Sequence, residues 1–229
     1  INFFKLSTED LSKDMINKPD PYAALRFWEF RNFTVARLCI TIASQIQAVI
    51  VGWQIYEITK DPLSLGLIGL AEAIPSISVL LFAGHITDTN DRKKIVLSSV
   101  FLMTFCSILL LIISTDSVSL FSSNKVIAMY SAIFLSGIGR GFSAPSFFAF
   151  VSQLVPKETL PNAITWNTTT WQTGAVTGPA IGGLLYGFIG PVNTYITIVI
   201  FWIISIFLIS PIKNKPIPEI LGIQSLKER

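Results

Sequence analysis

"GHITDTNDRKK", residues 84–94, packs five formal charges into eleven residues: Asp88, Asp91, Arg92, Lys93 and Lys94. On one side, residues 63–87 contain a single acid, Glu72; on the other, residues 95–113 contain no charge. The stretch is a polar break between two long apolar runs. A run of about 20 mainly apolar residues is the length of helix that crosses the hydrocarbon core of a bilayer. Two such runs joined by a charged turn therefore read as a pair of membrane helices with a loop in water.

Working outward, four more runs qualify. Residues 38–56, 162–189 and 192–212 are uncharged, and 126–155 carries one base, Arg140. None alternates with a period of two, which excludes barrel strands. Helices satisfy their own backbone hydrogen bonds in lipid, so the expected fold is an all-α membrane protein with six transmembrane helices. Composition agrees: 51% of the 229 residues are hydrophobic and 14% are charged, where a soluble domain carries about 25% charged residues.

Six crossings place both ends of the bundle on one side. Of the Lys and Arg residues, fourteen fall on that side, in the N-terminal segment through Arg37, at Arg92, Lys93 and Lys94, at Lys157, and in the tail; only Lys60 and Lys125 fall opposite. The positive-inside rule then puts both ends in the cytoplasm of a plasma membrane. Residues 1–32 read as a cytoplasmic segment with an interfacial anchor at Trp28 and Phe30, 33–212 as the bundle, and 213–229 as the start of a cytoplasmic linker. The chain opens at Ile1 without a Met, which is expected of a trimmed sequence. Cys39 and Cys106 sit in apolar runs and read as small apolar residues. His85 has no neighbour of ligand type. With no nucleotide-binding loop, no nucleophile beside a base and no metal-ligand cluster, the sequence gives no support to an enzyme, a cofactor or a nucleic-acid partner.

Charged and polar residues inside the spans are the functional candidates, since each is costly in lipid. Glu72 is open to three readings: a proton-coupling carboxyl, a partner for Arg140, or a structural hydrogen bond between helices. Ser44, Gln47 and Gln54 form a polar stripe on the first span, and Thr165, Thr169 and Gln172 share a face of the fifth. "GAVTGPAIGG" (174–183) sets glycines four apart, which lets a neighbouring backbone approach closely, and Pro179 removes a backbone donor.

These pieces resemble the major facilitator superfamily. Gly84, Asp88, Arg92, Lys93 and Lys94 match the spacing of its loop signature, although Thr89 and Asp91 replace its usual Arg and Gly. Gly174, Gly178, Pro179, Gly182 and Gly183 match the signature of its export-type members, and "GIGRGFSAP" (137–145) is loosely similar to its arginine-bearing helix-four signature. From "LRFWEFRNF" to "GPAIGGLL" the chain resembles the drug-antiporter and siderophore-exporter branch. The resemblance implies the N-terminal half of a twelve-helix carrier, built as a 3+3 inverted repeat, whose second half lies beyond the linker. It implies rocking, proton-coupled efflux of a small molecule through a bacterial inner membrane. Glu72 and Arg140 would be the coupling charges, Ser44, Gln47 and Gln54 would line the central cavity, and Asp88 and Arg92 would latch the cytoplasmic ends, with Gly84 allowing close approach. An importer of the same superfamily, or a transport-inactive scaffold or sensor on the same fold, are the alternatives.

Overall fold

The computed structural model describes residues 20–115 and 124–214; most of the expected N-terminal segment, the loop after the third span and the linker lie outside the described residues. Among the described residues the regular structure is helical throughout. Five helices are long and apolar enough to cross a membrane. They are α1 (Trp28–Thr59), α2 (Leu63–Thr89), α3 (Arg92–Ser114), α4 (Lys125–Leu154) and α5 (Leu160–Ile209). The expected fifth and sixth spans, 162–189 and 192–212, are joined in α5, which is helical on both sides of a kink at Gly190. The reason is local. The "GP" turn at 190–191 needs only one non-helical residue, Gly190 with φ 76°, and glycine carries no penalty in that region.

The partners of α5 differ on the two sides of Gly190. Before it, they climb α1 in step: positions 174, 178 and 182 meet Thr41, Gln45 and Ile46. After it, the order reverses. The Tyr195 hydroxyl donates to Gln54 and the Ser205 hydroxyl to the carbonyl of Ala36. The part of α5 before Gly190 thus runs with α1, and the part after it runs back against α1.

Sequence chemistry marks the breaks between helices. Lys60 ends α1 in the left-handed region (φ 54°), and the Asp61 carboxylate accepts from the Leu63 N–H at the start of α2. At the second break the Asp91 carboxylate accepts from the N–H groups of Lys93 and Lys94, capping α3. These groups have no partner within the helix, and such a cap is worth about 1 kcal/mol.

Between helices in lipid there is little hydrophobic drive, so close packing and hydrogen bonds hold them. Two tight seams do this. Gly174, Gly178 and Gly182 of α5 lie on α1, and Gly137 and Gly141 of α4 lie on the backbone of α2 at Glu72 and Ser76. Phe33 of α1 stacks against Phe147 and Phe150 of α4 with ring centroids 6.0 and 5.5 Å away. Half of the apolar stretch of α1 is buried against 6% for that of α2. α1 is therefore the centre of the bundle and α2 an outer wall.

Candidate functional site

The α2–α4 seam delivers two opposite charges to one point. Gly137 and Gly141 flank Arg140 by a turn or less and bring its helix onto α2. There Arg140 Nε lies 2.7 Å from Glu72 Oε1, with the two side chains 37% and 21% exposed. The N–H does not point along that line, so the contact is a close ion pair rather than an aligned hydrogen bond. Either charge alone in a span would cost at least ~2.5 kcal/mol on insertion scales, and pairing offsets much of that. The pair is also only half enclosed. Both residues line a small cavity of about 30 Å³ with Gln47 and Ser136. Arg140, but not Glu72, also lines a cavity of about 250 Å³ together with Arg37, Ser44, Gln45 and Trp171.

Arg37 was missed by the sequence reading, which counted it among the cytoplasmic charges. It lies nine residues into α1, about 14 Å along the axis at 1.5 Å per residue, so it is half-buried inside the bundle. Its guanidinium carbon sits 4.2 Å from the centroid of the Phe147 ring, and its Nε is buried with no acceptor. The signal was present: Phe30, Phe33, Ala36 and Ile40 carry the helical apolar period back past Arg37 to Trp28.

The predicted polar stripe divides. Ser44 opens on the larger cavity and Gln47 on the smaller one. Gln47 also accepts a short hydrogen bond from Ser107 of α3. Gln54 sits elsewhere, buried between helices: its amide donates to Ser114 at 2.8 Å and its carbonyl accepts from Tyr195 at 2.9 Å. Thr165, Thr169 and Gln172 of α5 are exposed.

In the charged loop, three cations, Arg92, Lys93 and Lys94, stand at the start of α3, the wrong end of a helix dipole for positive charge, and the first two are held from outside it. These two reach to other helices. Arg92 donates to the Ala149 carbonyl (2.9 Å) and to Ser152 near the C-terminus of α4, and Lys93 donates to the Ser210 carbonyl at the end of α5 (2.7 Å). Both meet carbonyls where a helix end is negative, which ties three helix ends together. Lys94 lies 4.0 Å from the capping carboxylate of Asp91. The side chain of Asp88, expected in a latch, lies outside the described residues. A Cβ added at Gly84 would meet nothing within 4 Å, so this bundle makes no close approach there.

The glycine motif of α5 also divides. Gly174, Gly178 and Gly182 are buried on α1, whereas Gly183 is exposed with open space around it. Pro179 keeps helical dihedrals, and the departure in α5 is at Gly190 instead. Gln45 adds a hydrogen bond across the seam, from its amide to the Ala175 carbonyl at 3.3 Å.

The chain belongs to a family described as transmembrane secretion effector, which it matches over residues 19–226. It is 23% identical over 161 residues to macrolide efflux protein A of Streptococcus pyogenes, an overlap covering 69% of this chain and 38% of that protein. The same values hold for the protein from a serotype M6 strain. The chain therefore spans well under half the length of these relatives. Its fold is similar to that in the in meso crystal structure of the POT family transporter PepTSo, with a TM-score of 0.65 at 13% identity, covering 82% of this chain and 39% of that one. Family and relatives are those of membrane transport, not of enzymes.

Proposed function

We propose that this chain is the N-terminal half of a secondary exporter, and that the Glu72–Arg140 pair is its coupling element. The single observation that carries the reading is that ion pair, held across two membrane helices, with both residues on one small cavity and Arg140 also on a larger one. In the cycle, a proton on Glu72 releases Arg140, loosens the α2–α4 contact and favours one orientation; loss of the proton restores the pair. The two parts of α5 count as the fifth and sixth crossings, in keeping with their opposite order along α1. The bundle is then a 3+3 arrangement, with the starts of α1, α3 and α5 and the ends of α2, α4 and α5 in the cytoplasm. The contacts of Arg92 and Lys93 with α4 and α5 hold that cytoplasmic rim. The exposed polar face of Thr165, Thr169 and Gln172 turns to the water-filled space between the halves, since polar surface is costly against lipid.

Export rather than import is supported by the α5 glycine motif and by the similarity to macrolide efflux protein A. The test is efflux of a fluorescent amphiphilic dye from intact cells expressing the full-length protein. Efflux should stop when an uncoupler collapses the proton gradient. Efflux insensitive to the uncoupler but lost on ATP depletion would refute the reading.

A further inference from the structure

We infer that the 250 Å³ cavity between α1, α4 and α5 is the subsite for a carboxylate carried by the cargo, with Arg37 as its counter-charge. The inference rests on the transporter reading and adds the chemical class of what is carried. Two guanidinium groups line this cavity, Arg37 and Arg140. The charge of Arg140 is matched by Glu72 at 2.7 Å. Arg37 has no such match: among the described residues no ion pair reaches it, and the residues lining the cavity with it include no carboxylate. The balance is one positive charge in a partly desolvated space, which suits a monoanion and disfavours a dianion.

The surrounding groups leave that charge for a ligand. The Phe147 face under the guanidinium gives a cation–π contact, which steadies a cation but supplies no acceptor for its N–H groups. Nε remains buried and unpartnered. The hydroxyls of Thr41 and Ser143 already donate to the carbonyls of Arg37 and Gly139, and the Gln45 amide to Ala175. Ser44 and Trp171 also line the cavity with polar groups, but the arginines alone bring positive charge, and a planar guanidinium matches a carboxylate in a two-pronged contact. Ile40, Met103, Phe147 and Trp171 supply apolar walls. The cavity is smaller than the ~300–1,000 Å³ of a drug-sized site. It therefore holds the charged aryl or alkyl end of a cargo whose remainder extends beyond this chain.

The test uses 1-naphthoate and 1-naphthamide, which share a shape and differ in charge, with the full-length protein in lipid nanodiscs. Binding is read by tryptophan quenching and by calorimetry. Naphthoate should bind saturably and about tenfold more tightly than naphthamide, a difference of about 1.4 kcal/mol. Arg37→Gln should erase the preference, and Arg37→Lys should keep only part of it. Trp171→Phe should remove most of the quenching while calorimetry still reads the preference for naphthoate over naphthamide, which places the ligand in this cavity. Absence of saturable naphthoate binding, equal affinity for the two probes, or a preference unchanged in Arg37→Gln would overturn the inference. Should Arg37→Gln not fold, an undiminished preference in Arg37→Lys counts against it equally. Charge-selective binding without gradient-driven transport would refute the transporter reading alone; gradient-driven efflux without charge selectivity would refute this inference alone.

Discussion

Gly137→Ala is the sharpest perturbation of the seam that makes the ion pair. A Cβ at this position would lie 2.5 Å from the Glu72 carbonyl oxygen and 2.7 Å from Pro75 Cγ. The first contact is about 0.9 Å short of the 3.4 Å at which ordinary contact begins. The obstacle is backbone on one side and a proline ring on the other, so neither can swing aside. α4 must move off α2 by most of that distance. Overpacking of this kind costs about 1–3 kcal/mol, while replacing a mid-helix glycine by alanine returns up to ~1 kcal/mol of helix propensity. The expected net loss is about 1–2 kcal/mol, and the same shift draws Arg140 away from Glu72. Gly183→Ala is the matched control, because its Cβ meets nothing within 4 Å and only the propensity gain remains. Thermal unfolding in detergent should place Gly137→Ala below the wild type and Gly183→Ala level with it or above. Equal melting of Gly137→Ala and wild type would refute the account of the seam.

Three further outcomes follow from the packing. Asp91→Ala removes the cap on two N–H groups of α3 and should lower stability by about 1 kcal/mol in the same unfolding assay, with Asp91→Asn recovering most of it. Gln54→Leu strands the Ser114 and Tyr195 hydroxyls and should cost about 1–3 kcal/mol while leaving the substrate affinity of folded protein unchanged; a changed affinity would return Gln54 to the cavity wall. Gly178→Ala puts a Cβ 2.5 Å from Gln45 Cβ and should destabilise by about 1–3 kcal/mol, because the α1–α5 seam has to open.

The spans and their breaks were legible because lipid imposes one rule, long apolar helices, and because charge collects in the breaks, as at residues 84–94. Glu72 and Arg140 were legible as charges inside spans, and pairing was one of the readings open to Glu72; which reading applies depends on Gly137 and Gly141, whose contacts a one-dimensional sequence does not show. The break at 190–191 was legible from the "GP" pair between two uncharged runs, but not that a single residue, Gly190, would leave helical geometry there. Gln54 and Gln47 look alike at helical spacing, and only their partners on α3 and α5 tell a buried tie from a cavity wall. Arg37 was obscured by its position, a cation close enough to the apolar boundary to be read as outside it. Gly84 shows the opposite limit: a motif glycine has no close neighbour within this bundle, so any contact it makes involves surface that these residues do not supply.

The central claim is that Glu72 couples proton binding to transport, and proteoliposomes holding the full-length protein test it most directly. Transport of the dye is driven by an imposed pH difference and compared between wild type and Glu72→Gln, with counterflow exchange of the same dye measured at equal pH. Glu72→Gln should lose the gradient-driven accumulation and keep exchange, because the neutral amide cannot cycle a proton but leaves the cavity intact. Accumulation by Glu72→Gln at the wild-type level across the pH range would contradict the account.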